Sequence, residues 1–90
     1  MPSEMRCRLT VRCSIAASER FVSRLYAQLA PLGLRVEHIT IRDDGGRDQP
    51  VQVAADIGCD DIYRDTISDF IKAAQALPGV ISVDYEFSAA

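Results

Sequence analysis

The sequence predicts an α+β sandwich of the ferredoxin-like βαββαβ kind, in which a four-stranded antiparallel sheet carries two helices on one face. Three observations lead there. The stretch M-R-C-R-L-T-V-R-C alternates throughout, with Met5, Cys7, Leu9, Val11 and Cys13 on one side and Arg6, Arg8, Thr10 and Arg12 on the other. Two segments of helical period interrupt strand-like segments in the order β-α-β-β-α-β. This topology sets the first strand between the third and fourth, so its arginines face Asp56 on one side and Asp84 and Glu86 on the other. Opposite charges on neighbouring strands support that order.

Taken in sequence, residues 1–4 form a polar lead, expected to be disordered, and residues 5–87 form one domain. After Cys13, the segment S-I-A-A-S leaves the strand, and Ser18 is the expected N-cap of the first helix, with Glu19 in its first turn. Phe21, Val22, Leu25 and Leu29 share an apolar stripe, and Pro31 followed by Gly33 stops the helix. Leu34 to Arg42 is the second strand. Leu34 and Val36 lie in one phase and Ile39 and Ile41 in the other, which predicts a bulge near Glu37 and His38.

D-D-G-G-R-D-Q-P, from Asp43 to Pro50, is a concentrated turn signal joining two strands, and the most mobile loop expected. Val51, Val53, Ala55 and Ile57 alternate along the third strand, which Gly58 is expected to end. Asp60 or Asp61 is the expected cap of the second helix. Its apolar positions are Ile62, Thr66, Ile67, Phe70, Ile71, Ala74 and Leu77, and Leu77-Pro78-Gly79 stops it. The fourth strand runs from about Val80 to Phe87, with Ile81, Val83, Tyr85 and Phe87 on one face and Ser82, Asp84 and Glu86 on the other. Residues 88–90 are expected to be a frayed tail.

Ninety residues fit one domain with one core. The chain is 48% hydrophobic and 26% charged, with 10 Lys+Arg against 13 Asp+Glu; the net charge of -3 provides no global attraction to nucleic acid or anionic lipid. No apolar run reaches the ~20 residues of a membrane-spanning helix, and the first residues lack a secretory pattern. Cys7, Cys13 and Cys59 are an odd set without C-x-x-C, and one histidine accompanies them. Reduced, buried thiols are expected rather than a disulfide framework or zinc site.

An exposed sheet with three arginines invites an RNA-binding reading. That chemistry needs aromatic rings on the central strands for base stacking, and the outward positions Arg6, Arg8, Thr10, Arg12, Gln52, Ala54 and Asp56 offer none. Metal carriers of this architecture place C-x-x-C after the first strand, where this chain has only Cys13. Cys7 and Cys59 are expected to approach each other if their strands pair. His38, beside Glu37, is a single solvated imidazole on an edge strand, and Asp43, Asp44 and Asp48 lack the spacing of an EF-hand loop. No catalytic set assembles, so neither an enzyme nor a cofactor is expected. The unpaired outer edges of the second and fourth strands carry only partial protection from Arg35, Glu37, Arg42, Asp84 and Glu86. Protein docking or homodimer formation is therefore the expected use, with Arg6, Arg8, Arg12, Asp84 and Glu86 as the candidate interaction surface.

The element order, with R-L-T-V-R-C in the first strand and L-P-G-V-I-S-V-D-Y-E leading into the last, resembles the ACT family of small regulatory domains. More narrowly, V-R-C, the polar D-D hairpin, V-Q-V-A-A-D and P-G-V-x-x-V resemble the soluble C-terminal domain of MgtC/SapB-type bacterial membrane proteins. That resemblance spans about Met5 to Phe87. It implies a cytoplasmic, noncatalytic regulatory or interaction domain of an inner-membrane protein linked to growth at low magnesium and survival inside host phagocytes. The alternative is an independent ACT domain sensing an amino acid at a dimer interface. Such domains use a glycine-bearing loop after the first strand, and Ser14-Ile15-Ala16-Ala17-Ser18 has no glycine.

Overall fold

A computed structural model describes residues 4–43 and 50–89. Its elements are β1 (Glu4–Cys13), α1 (Ile15–Leu29), β2 (Arg35–Asp43), β3 (Val51–Asp60), α2 (Arg64–Gln75) and β4 (Val80–Ala89). The four strands form one antiparallel sheet in the order β2-β3-β1-β4, the ferredoxin-like arrangement expected from the sequence. Alternation decides which face is dry. Met5, Cys7, Leu9, Val11 and Cys13 of β1 and Val51, Val53, Ala55, Ile57 and Cys59 of β3 join Ala17, Phe21, Leu25 and Leu29 of α1 and Ile67, Phe70, Ile71 and Ala74 of α2 in a single core. Both helices therefore cover the same side of the sheet. Phe21 and Phe70 meet between them with ring centroids 5.8 Å apart.

The start of α1 differs from expectation. Ser14, not Ser18, is the N-cap: its hydroxyl accepts from the Ala17 N–H at 3.2 Å. Ser18 is buried within the helix, where its hydroxyl donates to the Ile15 carbonyl at 2.6 Å. The early start follows from a tertiary contact invisible in the local sequence. The Ser14 N–H donates to the Gly79 carbonyl at 2.9 Å, tying the end of β1 to the turn before β4. Gly79 has φ +87°, and a Cβ there would lie 2.6 Å from the Ser14 hydroxyl oxygen. The expected Ser14–Ser18 loop is thus the cap and first turn of a helix.

The bulge in β2 is where it was expected. Glu37 pairs with Asp56 and Thr40 with Ala54, leaving His38 and Ile39 against one residue of β3, and His38 takes the left-handed conformation at φ 53°. Val36 and Ile41 then share a phase against Ile57 and Val53. The hairpin residues 44–49 lie outside the described residues, as do residues 1–3 and 90; this includes the expected mobile loop and most of the lead.

Gly58 does not end β3, which continues to Asp60 paired with Glu4. It is buried because the Arg35 guanidinium lies over it, 3.0 Å from where a Cβ would sit. Asp60 precedes a 3-10 turn, Asp61–Tyr63, without a side-chain cap, and α2 follows. Ile62 consequently stands 71% exposed rather than in the core stripe. In β4 the register slips opposite Arg12 and Cys13, so Val80 takes the core-facing place and Ile81 is 63% exposed. Glu4, Ser88 and Ala89 are strand residues, not lead and tail; Ser88 pairs with Arg6 and Ala89 with Met5.

Candidate functional site

Helices cover one face of the sheet; the other displays the alternate residues of each strand. On β1 these are Arg6, Arg8, Thr10 and Arg12, and on β3 Gln52, Ala54, Asp56 and Gly58. No aromatic side chain stands among them, so the two central strands offer no base-stacking platform. Arg8 is opposite Asp56 on one side and Glu86 on the other, and its Nε donates to Asp56 Oδ1 at 3.2 Å.

The expected charge match is narrower than three arginines against three acids. Arg6 faces Gly58 and Ser88, Arg12 faces Gln52 and Ser82, and Asp84 faces Thr10. Among the described residues Arg6, Arg12, Asp84 and Glu86 make no ion pair within 4.0 Å. The register explains this: Asp56 and Glu86 flank Arg8, Asp84 stands opposite Thr10, and Arg6 and Arg12 face only neutral residues. Arg8 is exposed, so its pair with Asp56 is worth little. A double-mutant cycle of Arg8→Ala and Asp56→Ala, read by urea unfolding, is expected to give a coupling of about 0.2–1 kcal/mol.

A second charged group was not assembled from the sequence. Arg35 lies 3.8 Å from Glu4 and 3.6 Å from Glu37, crossing β3 above Gly58 to reach β1. Its signal was a glycine inside the third strand beside an arginine opening the second, legible only once the bulged register is known.

Among the described residues, the polar face and outer strand enclose several shallow hollows. Arg6, Arg8, Glu86 and Ser88 line about 130 Å³; Arg8, Thr10, Asp84, Tyr85 and Glu86 line about 150 Å³. A third hollow, about 250 Å³, lies where β1 begins, β4 ends and α2 begins. There Arg64 sits over the Phe87 ring, 4.8 Å from its centroid, and Phe87 meets Tyr85 edge to face at 5.8 Å. No cluster of three or more His, Cys, Asp or Glu residues able to hold a metal ion occurs among the described residues. Of the acidic hairpin, Asp44 and Asp48 lie outside them.

The three cysteines are free and buried. Cys7 and Cys59 point to the core from paired strands, two residues off direct register. Burial, then the neighbouring Cys59, then Asp56, push the Cys7 thiol up to about 11; burial also raises Cys13 and Cys59. The native chain keeps Cys7 as a thiol where the unfolded chain ionises it at about 9. Its contribution to stability is present in full below pH 9 and lost as pH rises toward 11. Titration with an aromatic disulfide reagent at pH 8 is expected to find all three thiols unreactive in native protein and reactive in urea, and the urea midpoint is expected to fall above pH 9.

The His38 side chain is exposed and makes no hydrogen bond or ion pair among the described residues. Its place at the bulge accounts for it. The amino-acid site of ligand-sensing ACT domains has no counterpart loop here, since Ser14 alone separates β1 from α1. Among the described residues no helix is long and apolar enough to cross a membrane.

No protein-family model matches the chain, and no curated protein matches it in sequence. Solved structures do match in fold. The C-terminal domain of the MgtC protein from Mycobacterium tuberculosis superposes with a TM-score of 0.81 at 13% identity, covering 97% of this chain and 90% of that one. The ACT domain of a GTP pyrophosphokinase from Chlorobium tepidum gives 0.61 at 8% identity, covering 96% and 100%. A de novo designed protein, Foldit4, gives 0.76 at 16% identity over 97% and 98%. An invented sequence reaching the same shape shows how little the shape alone says about use. The chain has the ACT-like, ferredoxin-type fold seen in the C-terminal domain of MgtC.

Proposed function

We propose that the chain is a noncatalytic regulatory and protein-interaction domain, the cytoplasmic part of an MgtC-like inner-membrane protein linked to low-magnesium growth and survival of a bacterium within host cells. One observation supports this most: the MgtC C-terminal domain shares the whole architecture, end to end, at a TM-score of 0.81. The surface favours interaction over catalysis. It displays charged side chains on the open face of the sheet and along its outer strand, and its thiols are buried with raised pKa values. The membrane part of this reading is tested by sequencing the natural gene upstream of Met1. Several apolar segments of about 20 residues in frame are expected; a stop codon immediately upstream contradicts it.

The second reading, an independent amino-acid-sensing ACT domain, is favoured by the fold of the Chlorobium tepidum domain. A thermal-shift screen of the amino acids at millimolar concentration separates the two. A ligand that binds only the folded state raises its melting temperature, and no shift is expected here.

A further inference from the structure

We propose that the free edge of β4 is a strand-addition site for an extended segment of a partner protein in which basic and apolar residues alternate. It specifies the partner chemistry of the interaction reading above, but does not depend on a membrane-bound parent.

The two sheet edges differ. The β2 edge is broken in its middle by the bulge, where His38 leaves the extended conformation, and is flanked by Arg35, Glu37 and Arg42. Such an edge resists continuous pairing. The β4 edge pairs in unbroken register from Ser82 to Ala89 with β1 on its inner side, and no described residue pairs with its outer side. It has no lysine, arginine or proline. In an antiparallel edge strand every second residue turns both its N–H and its C=O outward, so a ladder stands ready for a further strand.

The two rows of β4 side chains state what would pair with it. The polar-face row is Ser82, Asp84, Glu86 and Ser88, whose two carboxylates have no ion-pair partner among the described residues. The helix-side row is Val83, Tyr85 and Phe87, in register with Val11, Leu9 and Cys7. Tyr85 is 52% exposed because the helical layer stops short of the edge. A complementary strand carries positive charge toward the first row and apolar groups toward the second. β1, which β4 already accepts on its inner side, has that pattern in R-C-R-L-T-V-R. A second copy fits less well. Two β4 strands paired about Asp84, Tyr85 or Glu86 set Asp84 against Asp84, Asp84 against Glu86, or Glu86 against Glu86, like charges directly opposed.

The test uses the whole 90-residue protein and a labelled, end-capped decapeptide of alternating arginine and valine, followed by fluorescence anisotropy. Controls are an alternating glutamate–valine peptide and a peptide with the same arginines and valines in two blocks. The alternating arginine peptide is expected to bind at least about tenfold more tightly than either control, with amide NMR shifts concentrated on β4. Asp84 faces the neutral Thr10, so Asp84→Arg leaves the fold in place, as circular dichroism will check. That variant is expected to bind the peptide about tenfold more weakly. Equal binding of the block peptide, shifts centred on β2, no binding, or a wild-type dimer by sedimentation that uses the β4 edge would each overturn the proposal. Its failure leaves the upstream gene sequence, and hence the membrane-protein reading, unaffected.

Discussion

Phe21→Ala is expected to destabilise the protein by about 3–5 kcal/mol, measured as the loss of unfolding free energy in urea. Phe21 is 1% exposed and is among the largest fully buried side chains. It stands on α1 where α1 meets both the sheet and Phe70 of α2, so its removal opens a void lined by all three. Neither helix closes such a void without leaving its own seat on β1 and β3. Domains of this size have about 5–15 kcal/mol in total, so a large fraction of the margin is at stake. A cost below about 1 kcal/mol would show that the helices do not share one core.

Gly79→Ala has the next largest expected effect, about 2–3 kcal/mol, although it adds a single methyl group to an exposed turn. Two effects sum there. A residue with a Cβ held in the left-handed region costs about 1–2 kcal/mol, and the methyl at 2.6 Å from the Ser14 hydroxyl displaces the N-cap of α1, worth about 1 kcal/mol more. Gly33 provides the comparison. Its φ is +84°, yet nothing lies within 4 Å of its would-be Cβ. Gly33→Ala is therefore expected to show the backbone cost alone, and the difference between the variants measures the link between the β4 turn and the α1 cap.

The fold was legible because the alternation of β1 and β3 is uninterrupted and the helical stripes of Phe21–Leu29 and Ile67–Ala74 keep their period. Even the bulge in β2 was readable, from apolar residues that change phase between Val36 and Ile39. What escaped the sequence were features set by distant contacts. Ser14 displaced Ser18 as the cap because Gly79 holds its N–H from the far end of the chain. Ile81 left the expected face because β4 slips by one residue opposite Cys13, a shift no local pattern announces. Gly58 looked like a terminator because the arginine that covers it comes from another strand.

The candidate surface was legible by residue type and only partly by geometry. Arg6, Arg8, Arg12, Asp84 and Glu86 all lie on the open face, as alternation required. The sequence cannot state register, and register places Arg8 between two acids while, among the described residues, Asp84 and Glu86 are left without an ion pair. The interaction reading consequently shifts from the basic row of β1 toward the acidic outer strand.

Amide hydrogen exchange, followed residue by residue by NMR at two protein concentrations, tests the central claim that a one-sided sheet leaves β4 open. The core amides of β1 and β3 are expected to exchange only through global unfolding, while along Ser82–Ala89 protected and fast amides alternate, identically at both concentrations. Uniform protection along β4, or protection that grows with concentration, would show that the edge is already covered and contradict the account.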